Sequence, residues 1–224
     1  MSFSQTHTSS GASAASLNCI RRWPSRGARS WAERFLQQAA NCERIATIVA
    51  VGSAVREVSY AADLDFVYLF DEPRPPLERP PIDVDVRGYA RNQADRLIAS
   101  GHELLGWAIN FGCLAFERDA CWTNLRTRWK GNVPLPSAAA SRERAARAEQ
   151  NWRELCAIGD DDAAMEQRIS MLTHLARAVL IEAGIYPASR PELPLQLAGI
   201  DCGVLTTEFD EILKEREQLA SLCK

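Results

Sequence analysis

Residues 45–70 read IATIVAVGSAVREVSYAADLDFVYLF and contain two apolar runs joined by a more polar segment. The first run, residues 44–51, is rich in the β-branched residues typical of a buried strand, and it ends at Gly52-Ser53. The second run, residues 63–70, has equally strong β character and begins with two aspartates. The stretch therefore predicts two strands joined by a tight turn and a short helical or irregular segment.

Residues 82–86 (IDVDV) alternate between apolar and acidic side chains and predict a third strand. They follow a proline-rich connection, residues 71–81, whose prolines favour an extended surface loop. Before the first strand, helical spacing begins after Ser30, a candidate N-cap. This part of the chain thus predicts a short mixed β-sheet with flanking helices.

Helical periodicity dominates after Tyr89. The predicted helices cover residues 92–99, 101–117, 141–157, 163–183 and from Thr206 or Thr207 to near 224. We expect an α+β fold in which an α/β segment, residues 28–90, is followed by an all-α helical bundle domain, residues 91–224. Residues 1–27, which begin with many Ser, Thr and Ala, predict a disordered tail.

The composition excludes several classes of protein. The 224 residues include 26 Lys or Arg and 29 Asp or Glu, a net charge of -3, which argues against a protein that wraps nucleic acid. No run approaches the ~18–20 uncharged residues that a membrane-spanning helix needs. The seven cysteines contain no Cys-x-x-Cys pair. They predict unpaired thiols in a reducing cytoplasm rather than a zinc site.

Four aspartates are concentrated in the predicted second and third strands. Asp63 and Asp65 are two residues apart and therefore share a face of the second strand, and Asp83 and Asp85 do so on the third. Carboxylates that converge on one sheet face repel one another unless a cation binds between them. Because all these donors are oxygens, the pattern favours Mg²⁺ or Mn²⁺.

The turn after the first strand adds a second chemical feature. Glycine at a strand end lets backbone amides approach a phosphate closely, and Gly52 is followed by the hydroxyl of Ser53. A metal site beside such a turn indicates phosphoryl or nucleotidyl transfer, in which divalent cations stabilise developing charge. A phosphohydrolase with the same acidic cluster is an alternative.

The order Gly-Ser, roughly ten residues, Asp-x-Asp, and then a third carboxylate in an apolar strand resembles the signature of the DNA polymerase β-like nucleotidyltransferase superfamily. The chain looks most like its small bacterial members, in which a short nucleotidyltransferase catalytic domain precedes a helical domain. By this resemblance, Gly52 and Ser53 would hold the β- and γ-phosphates of a nucleoside triphosphate, and Asp63 and Asp65 would bind the metal ions.

The same resemblance implies a third carboxylate, either Asp85 or Asp83, which binds the second metal ion and helps to deprotonate the acceptor hydroxyl. It implies Mg²⁺ or Mn²⁺ as the cofactor and transfer of a nucleoside monophosphate, with AMP from ATP favoured, and release of pyrophosphate. The implied acceptors are hydroxyl groups of small molecules such as aminoglycosides, or of partner proteins.

Two departures from the family pattern bear on nucleotide affinity rather than on metal ligands. Arg56-Glu57-Val58 stands where a second glycine is common, and Ala62 stands where serine often precedes the first aspartate. An alternative hypothesis is therefore a weakly catalytic binding module with the same fold. It would act as an antitoxin-like or regulatory partner, or form a homo-oligomer, through its helical domain.

Other polar residues are candidates for supporting roles. The candidate phosphate-binding cations are Arg87, Arg126 and Arg128. The candidate helper bases in the helical segment are Glu103, Glu117 and Glu154. His102 and His174 lie in predicted helices, and we interpret both as structural.

Overall fold

The structure is a computed structural model that describes residues 16–58 and 63–222, with side chains described through residue 218. A four-stranded sheet is formed by Ile45–Val51 (β1), Leu64–Phe70 (β2), Val84–Ala90 (β3) and Cys113–Glu117 (β4). The strands lie in the order β3-β2-β1-β4. β1 is antiparallel to β2 and β4, whereas β2 and β3 are parallel. The α+β fold class with a mixed sheet is confirmed, and β4 is a strand that the sequence pattern does not predict.

Helices flank the sheet and form the rest of the chain. Those in the described residues are Arg26–Asn41 (α1), Arg91–Ala99 (α2), Glu103–Phe111 (α3), Cys121–Trp129 (α4), Ala138–Ile158 (α5), Asp161–Glu182 (α6), Leu193–Ala198 (α7) and Gly203–Leu222 (α8). Short 3-10 turns occupy Ser53–Val55 and Arg190–Glu192. Across this described part of the chain, every helix is too short or too polar to cross a membrane.

β1 and β2 form the centre of the sheet. Every residue of β1 is buried, and so is every residue of β2 except Asp65. Trp31 and Phe35 of α1 pack on one face of these strands, and the ring centroids of Phe35 and Phe66 lie 5.9 Å apart in an edge-on contact. Each buried aromatic side chain of this kind stabilises the fold by roughly 1.5–3 kcal/mol.

The first helix begins earlier than predicted. The side chain of Ser25 accepts a hydrogen bond from the backbone N–H of Ala28 at 3.0 Å, which caps α1 before Arg26. Ser30, the predicted N-cap, lies inside the helix, so that prediction is wrong.

The predicted helix over residues 101–117 is wrong for its last part, which forms β4. The chain leaves α3 at Gly112, where the backbone becomes extended. A Cβ atom at Gly112 would lie 2.5 Å from the carbonyl oxygen of Ala108 and 2.8 Å from Cγ1 of Val49. Glycine therefore allows the close approach to β1 that turns Cys113–Glu117 into an edge strand.

The chain divides into two compact units, one ending at Val133 and the other starting at Pro134. This corrects the predicted boundary after residue 90. The reason is that α2, α3 and α4 all contact strands of the sheet, and β4 completes it. The all-α prediction therefore applies to the second unit, in which α5 to α8 form a bundle.

The second unit is built on the antiparallel pair α5 and α6. Gly159 ends α5 in the left-handed conformation with φ 76°, and Asp160 then caps α6 by accepting from the N–H of Ala163 at 3.1 Å. The fully buried core residues of this unit include Ile169, Leu180, Leu193, Leu197 and Phe209.

Residues 16–23, which we call the N-terminal strap, lie along the first unit. The N–H of Ser16 donates to the carbonyl oxygen of Ala115 in β4 at 2.9 Å, and Ile20 is buried in the core. The prediction of a disordered tail is therefore wrong for residues 16–27, and residues 1–15 lie outside the described part.

The strap also carries a disulfide. Cys19 is bonded to Cys113 at the start of β4, with Cα atoms 6.1 Å apart. The prediction of unpaired thiols is wrong for this pair, which is brought together across 94 residues of sequence by the path of the strap. The cysteines described as free are Cys42, Cys121, Cys156 and Cys202, and Cys223 lies outside the described residues.

Candidate functional site

The turn after β1 has a backbone conformation that favours glycine. Gly52 has φ 80° and ψ -164°, a combination that is essentially restricted to glycine. A Cβ atom at this position would lie 2.6 Å from Oδ2 of Asp65 on β2. The turn therefore brings bare backbone directly against the Asp65 carboxylate, and a 3-10 turn, Ser53–Val55, follows it.

Strand register places the aspartates beside this turn. Asp65 is opposite Val51 on β1, the residue before Gly52, and it is also in register with Asp85 on the parallel strand β3. Residues in register on neighbouring strands project to the same face of a sheet. Asp65 and Asp85 therefore share the face onto which the turn opens. Asp63 precedes β2 by one residue and is exposed.

The negative charges of this cluster act on one another. The pKa of Asp65 is raised to about 7, chiefly because burial disfavours the charged carboxylate, and further because Asp63 and Asp85 repel it. Arg87 acts in the opposite direction and lowers the pKa of Asp65. The free protein thus holds Asp65 as a carboxyl group that gains and loses its proton near neutral pH.

Arg87 binds the third carboxylate. Its Nε and Nη2 atoms lie 2.9 and 2.7 Å from Oδ2 of Asp85, two residues earlier on β3. The side chains of Arg87 and Asp85 are 63% and 51% exposed, so the pair contributes no more than about 1 kcal/mol to stability. The pair is therefore weak enough to open when another charged group approaches.

The site matches a hard divalent cation in its chemistry but not as a closed set of ligands. Asp63, Asp65 and Asp85 offer only carboxylate oxygens, the donors that Mg²⁺ and Mn²⁺ prefer, and their mutual repulsion is the charge that a cation would offset. Within residues 16–58 and 63–222, however, no three His, Cys, Asp or Glu side chains are close enough together to hold a metal ion.

The structure separates the two candidates for the third carboxylate. Asp83 lies in the turn before β3, where its carbonyl oxygen accepts from the N–H of Leu64 at 2.9 Å. Asp85 lies within β3, opposite Asp65, and raises the pKa of that residue. Strand register and charge repulsion thus associate Asp65 with Asp85 and Asp63, whereas Asp83 lies in the turn outside β3. Ala62, one of the departures from the family pattern, lies outside the described residues.

Several other candidates have structural contacts. Buried Glu117 accepts from the N–H and the hydroxyl of Thr123 at 3.1 and 2.7 Å, which holds the start of α4. Arg128 donates to Asp95 at 2.7 Å, and this ties α4 to α2. These interactions explain Glu117 and Arg128 without a role in catalysis.

The remaining candidates lie on helices. Glu154, on α5 of the second unit, accepts from the side chain of Gln150 at 2.9 Å. The interpretation of His102 as structural agrees with its position, since its Nδ1 accepts from the N–H of Leu105 and caps α3. Its ring also contacts Tyr89 edge-on, with the ring centroids 5.1 Å apart.

The sequence interpretation misses two residues that form hydrogen bonds to the segment after Gly52. The N–H groups of Arg21 and Arg22 donate to the carbonyl oxygen of Ala54 at 2.8 and 3.2 Å. Nε of Arg22 also donates to the carbonyl oxygen of Val58 at 2.6 Å. These contacts join segments more than thirty residues apart, and their acceptors are backbone carbonyl oxygens. No sequence motif therefore predicts them.

Comparison with known proteins finds similarities among solved structures. No protein-family model matches the chain, and no curated protein matches it. Among solved structures, the chain is similar to a nucleotidyltransferase-like protein from Exiguobacterium sibiricum, with 17% sequence identity and a TM-score of 0.40. The match covers 81% of this chain and 66% of that protein, so the chain spans a little under two thirds of its length. We therefore base a function on the residues of this chain.

Proposed function

We propose that the protein is a divalent-cation-dependent nucleotidyltransferase. It would move a nucleoside monophosphate, in the first instance AMP from ATP, to a hydroxyl group and release pyrophosphate. The observation that carries the proposal is the position of Gly52, whose Cβ-free backbone lies against the carboxylate of Asp65 while Asp63 and Asp85 concentrate negative charge at the same place. The sequence pattern shared with the polymerase β-like superfamily supports the same reaction.

Each residue of the site has a proposed task. The backbone at Gly52 and the Ser53 amide and hydroxyl would bind the β- and γ-phosphates, for which glycine leaves the approach open. Asp63, Asp65 and Asp85 would hold Mg²⁺ or Mn²⁺, which when bound supplies positive charge to the phosphate oxygens. Asp65, whose pKa is raised to about 7, would have to lose its proton before a cation binds to its carboxylate.

The proposed reaction transfers the nucleoside monophosphate from the triphosphate to the acceptor hydroxyl. The acceptor oxygen forms a bond to the α-phosphorus, and the bond from that phosphorus to the oxygen bridging to the β-phosphate breaks, so that pyrophosphate leaves. The hydroxyl proton passes to a carboxylate, for which Asp85 is our candidate because it lies at the exposed side of the cluster. The third position in the family pattern is thus proposed to be Asp85 rather than Asp83.

The acceptor is proposed to be a hydroxyl of a small molecule or of a protein. The net charge of -3 favours a cationic acceptor such as an aminoglycoside over a nucleic acid. We further propose that the protein acts in the cytoplasm, and that a partner protein or a second copy of the chain would bind through the helical unit.

A second candidate function is a binding module that has the fold but little catalytic activity. The observation that favours it is the engagement of Asp85 by Arg87, together with the lack of a closed three-residue metal group in the described parts of the chain. Such a protein would bind a nucleotide or a partner without transferring the nucleotide.

The proposal is tested with purified protein, Mg²⁺ or Mn²⁺, and each of the four nucleoside triphosphates labelled at the α-phosphate. An aminoglycoside panel and bacterial lysate serve as acceptors. We expect label transfer by the wild type and a loss of about 100-fold or more in Asp65→Asn, because one charge that holds the cation is removed. Glu43→Gln is the matched control, since Glu43 is exposed in the turn at the opposite end of β1.

The outcomes separate the two candidates. Transfer that disappears in Asp65→Asn and persists in Glu43→Gln supports the nucleotidyltransferase. Nucleotide binding without transfer to any acceptor supports the binding module. If the protein neither binds a nucleotide nor transfers one, both candidate functions are contradicted.

A further inference from the structure

The N-terminal strap contacts the segment that follows β1, residues 52–58, which we call the Gly52 turn. The N–H groups of Arg21 and Arg22 both donate to the carbonyl oxygen of Ala54, two residues after Gly52. The guanidinium of Arg22 donates to the carbonyl oxygen of Val58 at 2.6 Å, and Arg21 lies 3.7 Å from Glu57. The turn is therefore attached to the strap along most of its length.

The disulfide attaches the strap to β4 near the start of the same turn. Cys113 is in register with Ala50 on β1, two residues before Gly52. Cys19 lies two residues before Arg21, whose N–H binds Ala54. The disulfide thus attaches the strap next to the residues that precede the turn, the hydrogen bonds attach it to Ala54 within the turn, and Ile20, between Cys19 and Arg21, is buried in the core.

The two halves of the disulfide differ in how firmly the rest of the fold holds them. Cys113 belongs to β4, and the neighbouring Gly112 packs so closely on Val49 that a methyl group would not fit. Cys19 lies in an irregular segment that is bound by hydrogen bonds to Ala54 in the turn and to Ala115 in β4, with Ile20 in the core. Breaking the disulfide would therefore loosen the strap around Cys19 and leave β4 in place.

We propose that Cys19 and Cys113 form a reversible thiol–disulfide site whose state sets the rigidity of the Gly52 turn. Both cysteines are partly exposed, so a small thiol or disulfide can reach them. In the oxidised state the strap is held and the turn is ordered. In the reduced state the strap loosens, and the turn loses the donors from Arg21 and Arg22.

The proposed step uses thiol–disulfide exchange with a glutathione-class disulfide. A thiolate of one cysteine attacks the small disulfide and displaces one small thiol, forming a mixed disulfide. The second cysteine then attacks the protein sulfur of that bond and releases the other small thiol. The two protein thiols lose two protons and two electrons, and the oxidant becomes two thiols. A dithiol reverses the reaction.

The site is tested first by non-reducing peptide mapping of the full chain, before and after incubation with oxidised glutathione. The next measurement is hydrogen–deuterium exchange of the wild type with and without a dithiol. We expect a linked Cys19–Cys113 peptide, and we expect reduction to accelerate exchange by about tenfold or more in residues 52–58 and in the strap. Exchange in β4 should change little.

Two variants distinguish the loss of the disulfide from a general loss of folding. Cys113→Ser should show fast exchange in residues 52–58 with or without the dithiol, because it lacks the bond. Cys156→Ser removes a free, exposed thiol on α5 and should behave as the wild type. If Cys113→Ser does not fold, reduction of the unmodified chain still gives the answer.

Two results would overturn the inference. One is a failure to recover the linked peptide even after treatment with oxidised glutathione. The other is an unchanged exchange rate in residues 52–58 although the thiols are free. A further arm, which rests on the proposed function, compares binding of ATP with Mg²⁺ in the two states and should show weaker binding after reduction. If reduction accelerates hydrogen–deuterium exchange in residues 52–58 but neither the oxidised nor the reduced protein binds ATP, the proposed function is contradicted and the thiol–disulfide site is supported. If exchange differs but ATP binds equally well to both forms, the disulfide controls the rigidity of the turn and not nucleotide affinity.

Discussion

Arg87 and Asp85 form an ion pair along one strand, in which two guanidinium nitrogens lie within 2.9 Å of the same carboxylate oxygen. Asp85 thus has neighbours of opposite sign, since Asp65 lies beside it on β2 and Arg87 follows it on β3. The guanidinium of Arg87 therefore offsets part of the negative charge of the carboxylates that are proposed to bind a divalent cation.

We expect Arg87→Gln to raise the pKa of Asp65 further, because Arg87 is the group that opposes the repulsion by Asp63 and Asp85. The change in the free energy of unfolding should stay below about 1 kcal/mol, since the ion pair is exposed. Carboxyl titration by NMR measures the pKa. Arg34→Gln is the matched control, because it breaks an equally exposed pair with Glu78. A pKa that does not move relative to this control would show that Arg87 is electrostatically remote from Asp65.

The stability of the metal-free protein should fall as the pH rises toward 7. The pKa of Asp65 is about 7 in the folded protein and about 4 in the unfolded chain. Between these values the folded state binds more protons, so the free energy of unfolding decreases with pH, by an amount on the order of a few kcal/mol over the window. Asp65→Asn should remove this dependence and be the more stable protein at pH 8. Denaturant unfolding of both proteins from pH 4 to 8 measures the difference, and parallel curves would contradict the prediction.

Gly52→Ala should destabilise the protein by about 1–3 kcal/mol. Alanine is strained at the positive φ of this position, and its methyl group would lie 2.6 Å from Oδ2 of Asp65. Gly131→Ala is the control, since Gly131 has φ 85° and nothing within 4 Å of a Cβ atom. The control carries the cost of a positive φ without the contact. Urea unfolding of the two variants compares their losses of stability, and a loss at Gly52 no larger than that at Gly131 would mean that the carboxylate moves aside freely.

Gly88→Ala should destabilise the sheet by about 1–3 kcal/mol. A methyl group at Gly88 would lie 2.5 Å from the ring of Tyr68, which is fully buried and in register with it on β2. Gly203→Ala, with open space around the Cβ position, should change little. Thermal unfolding of the two variants compares them. Similar melting temperatures would indicate that the Tyr68 ring shifts without penalty.

The central strands and the acidic cluster are predictable because their signals are local. The apolar runs around Gly52 and the two-residue spacing of Asp63 and Asp65 depend on neighbouring residues only. The choice between Asp83 and Asp85 is not local, because both alternate in the same phase and only the start of β3 relative to β2 distinguishes them.

Tertiary contacts override the pattern elsewhere. Residues 113–117 follow a helical stretch without a turn signal in the sequence, and they form a strand because Gly112 packs closely on Val49 and the residues after it pair with β1. The strap has no periodic signal at all, and its order comes from Ile20 in the core and from the disulfide to Cys113. The predicted domain boundary after residue 90 is wrong for the same reason, since β4, which follows that boundary, is the fourth strand of the sheet.

The two edges of the sheet are protected against self-association in different ways. At β4 the edge is covered by chain, because Ser16 donates to Ala115. At β3, the other edge, exposed charges lie on alternate residues at Asp85 and Arg87. Charged side chains on an edge strand discourage pairing with a second sheet. Asp85, which is proposed to serve the reaction, therefore has a second effect with Arg87, which is to discourage edge-to-edge pairing of β3. Apolar replacement of both residues would leave β3 as an exposed edge strand open to association with a second sheet.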